Sequence, residues 1–349
     1  MRIAMVSTPF VPVPPRDYGG TELIIYELAE GLLDRGHDIT LFATGDSRTR
    51  ARLHALYRRA LWPPESFVEL NHVSWAMQEV VTGDYDLVHV HSASALAMSR
   101  LMPETPMVHT LHHEREAALS QYYRHFPEVQ FVAISEDQRG RETGAERCAV
   151  IHHGLDPSRY QCSEHVEPYV CFVGRFARAK GPHTAIDAAD LAGVPIRLAG
   201  DIHPVDLDWA SAEVEPRLRR AHVTFLGRIG TEQKVPLLCH ARALLAPIEW
   251  NEPFGLILIE AMLSGCPVVT FGRGSVPELI EHGVTGFIAE SLDEMARLIR
   301  PGGRVDELDR GLIRERAVGR FSRDRMVGEY ESLYRSVVAR PVRRPITAA

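Results

Sequence analysis

Short runs of β-branched and apolar residues recur along the chain, separated by amphipathic stretches, the pattern of a parallel α/β sheet covered by helices. In the first half, Arg2–Val6, Asp38–Phe42, Leu87–His91, Met107–Leu111 and Phe131–Ile134 predict strands. The pattern then restarts, and Tyr169–Gly174, Ile196–Ala199, Val223–Leu226, Ala243–Ala246, Val268–Phe271 and Phe287–Ala289 predict a second set. Each set opens with a strand, a Gly-containing loop, a helix ending near Gly36 or Gly193, and a second strand. The expectation is α/β: two Rossmann-like domains with parallel sheets, residues 1–158 and 159–322. They are expected to join within Gly154–Pro168, where Asp156-Pro157 and a polar stretch interrupt the periodicity. A helix over 323–339 is expected to pack back on the first domain, and the Pro- and Arg-rich tail over 340–349 to be mobile.

The length of 349 residues suits two domains, and 45% apolar with 24% charged residues excludes collagen-like, disulfide-scaffold and wholly disordered chains. Acidic residues number 46 against 39 basic ones, and the net charge of −7 argues against non-specific binding to nucleic acid. No apolar run approaches the ~20 residues that span a bilayer. The opening Met1–Val6 is broken by Pro9, Pro12, Pro14 and Pro15, too soon for a signal peptide, so a cytoplasmic location is expected. Five cysteines, at 148, 162, 171, 239 and 266, lack CxxC spacing and read as reduced thiols. The basic residues are 37 Arg and only two Lys, Lys180 and Lys234. Against that background, a lysine placed where an ammonium suits a phosphate is informative.

In open parallel sheets ligands bind beyond the carboxyl ends of the strands, so two facing domains of this kind make an interdomain cleft. After the first strand come Gly19-Gly20-Thr21-Glu22 and a helix from about Leu23. Adjacent glycines let backbone N–H groups approach an anion, although an ordinary turn capped by Thr21 reads equally from these residues. Neither GxGxxG nor GxxxxGK[ST] occurs, which disfavours a dehydrogenase or a P-loop NTPase. The second domain opens with Gly174-Arg175 and Lys180-Gly181. Two cations bracketing a strand-end loop suit a diphosphate, or form a solvated basic loop. Further on, Phe254–Leu263 reads as a buried helix with Pro253 at its first turn and Glu260 inside it, and a buried carboxylate needs a partner. At ~1.5 Å per residue, Glu252 and Glu260 then lie about 12 Å apart at most, close to the sugar-to-ribose span of a nucleotide sugar.

Gly19-Gly20-Thr21-Glu22, Gly174-Arg175 with Lys180-Gly181, Glu252-Pro253-Phe254-Gly255 with Glu260-Ala261, and Gly274-Ser275-Val276-Pro277-Glu278 followed by Gly283 and Gly286-Phe287 stand in this order. The chain thereby resembles the retaining glycosyltransferases of family 4, the group that includes glycogen synthases and phosphatidylinositol mannosyltransferases. The likeness covers most of the chain and is strongest over Phe172–Ala289. It implies the GT-B fold and transfer of a hexose from a nucleotide-diphosphate sugar, by default UDP-glucose or a related UDP-hexose, to a hydroxyl of a small-molecule or glycan acceptor. The resemblance implies same-face substitution with retention, without a metal or other cofactor. It assigns Glu260 to the ribose and Glu252 to the transferred sugar. Arg175, Lys180 and the N–H groups of Phe254, Gly255 and Leu256 would take the departing diphosphate, with Gly19 and Gly20 closing on it. Gly174 belongs to the same donor loop, and backbone around Gly227, Arg228 and Ile229 would line the base pocket. His112 matches the active-site histidine of the family, with His113 one register away. These groups suit a reaction that develops negative charge on a leaving diphosphate.

Other readings compete. His89, His91, His109, His112 and His113 are candidates for a metal site and hence a metal-dependent hydrolase. An epimerase of the same fold, or a non-catalytic sugar-nucleotide binder, is a third class. Asp84-Tyr85-Asp86 resembles a metal-diphosphate DxD but falls between a helix and a strand. The segment Arg48–Trp62, with five arginines and interspersed Leu, Tyr and Trp, reads as an amphipathic basic helix for an anionic membrane, as a solvated face, or as an acceptor loop. Tyr18, Trp62, Trp75, Tyr122 and Tyr123 are candidate sugar-stacking walls or core residues.

Overall fold

The computed structural model describes residues 1–17 and 19–340, so Tyr18 and the expected mobile tail beyond Arg340 lie outside the described residues. Two compact units are formed, one by Met1–Leu155 with the chain from Arg323 on, the other by Asp156–Ser322. The division falls after Leu155 rather than after residue 158. The short 3-10 turn Pro157–Arg159, where Asp156 accepts from the Ser158 N–H at 3.0 Å, opens the second unit.

In unit 1 the strands are β1 (Arg2–Val6), β2 (Asp38–Phe42), β3 (Arg52–His54), β4 (Leu87–Val90), β5 (Met107–Thr110), β6 (Gln130–Ala133) and β7 (Cys148–Val150). They form one parallel sheet in the order β3-β2-β1-β4-β5-β6-β7. In unit 2 they are β8 (Val170–Val173), β9 (Ile196–Ala199), β10 (Val223–Phe225), β11 (Leu244–Ala246), β12 (Val268–Phe271) and β13 (Gly286–Ala289). Their parallel order is β10-β9-β8-β11-β12-β13. Both orders carry the Rossmann reversal, between β1 and β4 and between β8 and β11. Their central strands are apolar on both faces, because helices cover both faces of a parallel sheet. Each unit has its own core: Val6, Val88, Val90 and Phe131 lie in one, Phe172, Leu198, Leu245 and Val269 in the other.

The helix Arg323–Val338 belongs to unit 1. Its Val327 packs on the helix Gly20–Asp34 so closely that a Cβ on Gly31 would lie 2.5 Å from Val327 Cγ2. Its Tyr330 and Tyr334 are buried at the sheet, bonded to Thr110 Oγ1 at 2.9 Å and to His89 Nδ1 at 2.6 Å.

Two local expectations are corrected, and one of three alternatives is excluded. Of the readings of Arg48–Trp62 the amphipathic helix is ruled out: β3 pairs in parallel with β2, and the remainder is loop. Edge pairing wins there over helical spacing, and Arg50 turns back to Glu30 and to Asp34 at 2.8 Å. The first helix begins at Gly20 with Gly19 at its N-cap, so Thr21 lies inside the first turn and does not cap it. The buried helix begins at Leu256, because Gly255 at φ +90° takes a left-handed conformation that excludes Pro253 and Phe254 from it. Glu252 thus stands outside the helix, and the 12 Å estimate by helical rise does not apply.

Candidate active site

The strand reversal of unit 2 places the loop after β8 beside the loop after β11. The two are sewn together. Glu249 N–H donates to Ala179 O at 2.9 Å, and a Cβ on Gly181, at φ +70°, would lie 2.2 Å from Pro247 O. Only glycine fits that approach, so the backbone at Lys180 is fixed against the chain that leads to Glu252.

Lys180 Nζ donates to Glu252 Oε2 at 2.5 Å, and Trp250 Nε1 donates to the same oxygen at 2.8 Å. The ammonium also lies 4.9 Å from the centre of the Trp250 ring. Glu252 is buried, and its loop is held from the far side by the turn after β12. Ser275 N–H donates to Glu252 O at 2.9 Å, and Ser275 Oγ donates to Phe254 O at 2.7 Å. Gly274 sits at φ +60° with Glu252 N and O each 2.4 Å from where a Cβ would stand. The Gly274-Ser275 motif is therefore a brace for the Glu252–Gly255 loop.

Glu260 finds its partner in Lys234, whose Nζ donates to Oε1 at 2.5 Å, joined on that oxygen by Tyr160 Oη at 3.2 Å. The chain's two lysines thus stand on the two glutamates of the motif. A buried carboxylate requires such pairing. Lys234, Trp250 and Tyr160 were not among the site residues read from sequence. The scarcity of lysine was the available signal for Lys234, and adjacence to Glu252 for Trp250. Tyr160 carried none, since it meets Glu260 across 100 residues of chain.

Arg175 follows the same β8 loop, but its guanidinium faces Asp206, Nε to Oδ2 at 4.0 Å. The end of β8 approaches the turn after β9: Gly174 N–H donates to Ala199 O, and a Cβ on Gly200 would meet Gly174 O at 1.8 Å. Arg228 is exposed and ion-paired with Asp201, and Ile229 beside it is half-buried. Phe254 is buried, whereas Gly255 and Leu256 at the helix start are half-buried, with unbonded N–H groups of a first turn to offer.

In unit 1, Gly19 and Gly20 open the first helix beside Glu22, which is buried and accepts from Thr8 Oγ1 at 2.9 Å. Burial pushes the Glu22 carboxyl above its ordinary range. His112 shares a hydrogen bond of 2.9 Å from its Nε2 to His91 Nδ1 and stacks on His153 at 5.6 Å. Burial among neighbouring histidines lowers its pKa to about 3, so the ring is neutral near pH 7. His113 is tied up internally: Nδ1 meets Glu114 O at 2.7 Å and Nε2 meets Tyr123 Oη at 2.8 Å. His89 uses both ring nitrogens on Tyr334 and Thr110, and His109 Nδ1 is bonded to Val90 O at 3.0 Å. Both ring nitrogens of His89 and His113 are thus engaged within the fold, and among the described residues no three His, Cys, Asp or Glu are gathered to hold a metal. Asp84 and Asp86 both engage Arg2. Trp75 packs edge-on against Phe42 at 5.8 Å, Tyr122 against Phe126 at 4.8 Å, and Tyr123 is fully buried, so these three are packing residues, while Trp62 is exposed. Among the described residues no helix is long and apolar enough to cross a membrane.

Comparison with known proteins agrees with this architecture. The family profile "Glycosyl transferases group 1" matches residues 162–300, and "Glycosyltransferase Family 4" matches residues 18–159. The D-inositol 3-phosphate glycosyltransferase of Mycobacterium bovis is 29% identical over an alignment of 274 positions, gaps included, that covers 64% of this chain and 56% of that one. The crystal structure of AviGT4, a glycosyltransferase involved in avilamycin A biosynthesis, superposes with a TM-score of 0.74 at 25% identity, over 97% of this chain and 98% of that one. Anabaena HepE in complex with UDP and glucose gives a TM-score of 0.74 at 22% identity, over 96% of this chain and 100% of that one. The chain belongs to the GT4-type glycosyltransferases and is built on their GT-B fold of two Rossmann-like domains.

Proposed function

We propose that this glycosyltransferase moves a hexose from a nucleoside-diphosphate sugar, UDP-glucose or a related UDP-hexose, to a hydroxyl of a small-molecule or glycan acceptor, with retention and without a metal. Unit 2 is the donor side in this reading and unit 1 the acceptor side. The observation that carries it is the treatment of the two glutamates. Each is buried, each has one oxygen held by a lysine and an aromatic donor, and the other oxygen of each receives no hydrogen bond among the described residues. Glu252 would take hydroxyls of the transferred sugar and Glu260 those of the ribose. The braced Gly255–Leu256 backbone, Lys180 and Arg175 would stabilise the charge that grows on the diphosphate as the sugar leaves. Gly19 and Gly20 would add N–H groups, and neutral His112 a hydrogen bond to the sugar. His112 is favoured over His113 because both ring nitrogens of the latter are already engaged. The UDP and glucose held by Anabaena HepE, of the same fold, support this donor class.

The test is a thermal-shift panel of UDP, GDP, ADP and dTDP with their glucose conjugates, each with magnesium and with EDTA, followed by NMR of the product anomer. Ligand at 100 times its Kd stabilises the native state by about 2.7 kcal/mol. A selective shift indifferent to EDTA, with the anomeric configuration retained, is expected. No shift with any nucleotide, or melting lowered by EDTA alone, refutes the reading.

A further inference from the structure

Both donors that reach Glu260 arrive on one oxygen. Lys234 Nζ at 2.5 Å and Tyr160 Oη at 3.2 Å share Oε1, and Oε2 receives no hydrogen bond among the described residues. The carboxyl is 5% exposed and Lys234 is 14% exposed. An ion pair this buried adds little net stability over an apolar pair of similar volume, but it determines which carboxylate oxygen is left to face a ligand. Lys234 stands in the first turns of the helix Thr231–His240, directly after the Arg228–Ile229 loop. Tyr160 reaches the same oxygen from the opening turn of the unit, so the carboxyl is pinned from two directions.

We infer that Lys234 and Tyr160 are positioning residues that make Glu260 a reader of ribose. With Oε1 saturated, Oε2 is presented to the vicinal hydroxyls, and the enzyme selects ribonucleoside diphosphates over their 2′-deoxy counterparts. This rests on the reading of Glu260 as the ribose contact. A 2′-deoxy ligand removes one donor from a buried charged acceptor, a loss that discriminates strongly when the acceptor cannot turn to another partner. Once Lys234 is removed, Oε1 is held by Tyr160 alone, the carboxylate turns more readily, either oxygen serves, and discrimination relaxes.

Calorimetric titration of UDP against dUDP, with GDP/dGDP and ADP/dADP pairs alongside, tests this on the full chain. Wild type should bind the preferred ribonucleotide at least tenfold more tightly than its 2′-deoxy partner. K234M and Y160F should each lower that ratio at least threefold, and K234R, which keeps a cation on Glu260, should hold it within threefold of wild type. In turnover, K234M should raise the donor KM with kcat changed less than twofold. A purely structural lesion weakens both ligands alike and leaves the ratio unchanged, and that result overturns the inference while the donor reading stands. A wild-type ratio near one does the same. Binding of no nucleoside diphosphate by wild type overturns the donor reading and the inference together. If K234M does not fold, Y160F, which deletes a single hydroxyl, decides the matter by the same ratio.

Discussion

Replacing Lys180 by methionine strands a carboxylate. Glu252 is 8% exposed at its side chain and Lys180 21%, with 2.5 Å between Nζ and Oε2. Removing one partner of a fully buried pair costs about 3–5 kcal/mol. Here Trp250 still donates to Oε2 at 2.8 Å, and the lysine site is partly wet, so about 2–3 kcal/mol is expected for K180M. E252Q leaves the ammonium able to reach water and should cost about 1–2 kcal/mol. In K180M/E252Q neither charge is left alone, so the double variant should lose less than the singles combined, with a coupling of about 1–2 kcal/mol. The two units need not unfold together, and a global denaturation curve would blur them. Hydrogen exchange of peptides from the helix Leu256–Leu263 under native conditions reads the unit concerned. Singles that add within about 0.5 kcal/mol would refute the claim that these groups form one energetic unit.

Three further outcomes follow from the geometry. Gly31→Ala gains about 1 kcal/mol of helix propensity but drives a Cβ to 2.5 Å from buried Val327, so overpacking of about 1–3 kcal/mol should win and exchange in Arg323–Val338 should speed up; slower exchange contradicts it. Gly274→Ala collides with Glu252 backbone atoms at 2.4 Å and should weaken UDP binding at least tenfold, whereas Gly302→Ala, also at positive φ but with nothing within 4 Å, should cost only about 1–2 kcal/mol and leave binding intact. Equal binding by the two variants would remove the brace from the site. Burial holds His72 and His109 neutral, with pKa values lowered to about 4. Their unfolded-state protonation begins near pH 6.5, so their stability contribution is complete above that pH and is lost as pH falls towards 4, about 1.4 kcal/mol per unit for each. Exchange in the unit 1 sheet should therefore accelerate between pH 6.5 and 5 ahead of that in unit 2; the reverse order would exclude the histidines as the cause.

The sheet strands were legible because parallel strands buried on both faces leave continuous β-branched runs, and Arg2–Val6, Asp38–Phe42, Ile196–Ala199 and Val268–Phe271 have the bounds that the pattern predicts. Strands β3 and β7 were not, since each is three residues long, sits at a sheet edge and is incompletely buried. Leu53, Leu56 and Tyr57 mimic helical spacing, and only the parallel pairing with β2 decides against it. At the site, the need of Glu260 for a partner could be read from an acidic residue inside an apolar helix. The partner's identity could not, because Lys234 and Tyr160 meet it only through the folding of unit 2. Likewise Gly274-Ser275 could be read as a motif, but its task as a brace appears only from the hydrogen bonds to Glu252 and Phe254.

The placement of both lysines has a practical corollary for anyone labelling the protein. With 37 arginines and no other lysine, every side-chain amine of the chain is seated on a glutamate in unit 2. An acylating reagent needs the free amine, so the folded chain should resist modification at both positions, and Lys180, the more accessible of the two, should react first. The extent of acylation at two residues then serves as a ruler of occupancy and local opening, read by mass without any engineered reporter. For the same reason, immobilisation through lysine would tether the molecule by its candidate active site, and attachment through another group is the sound choice.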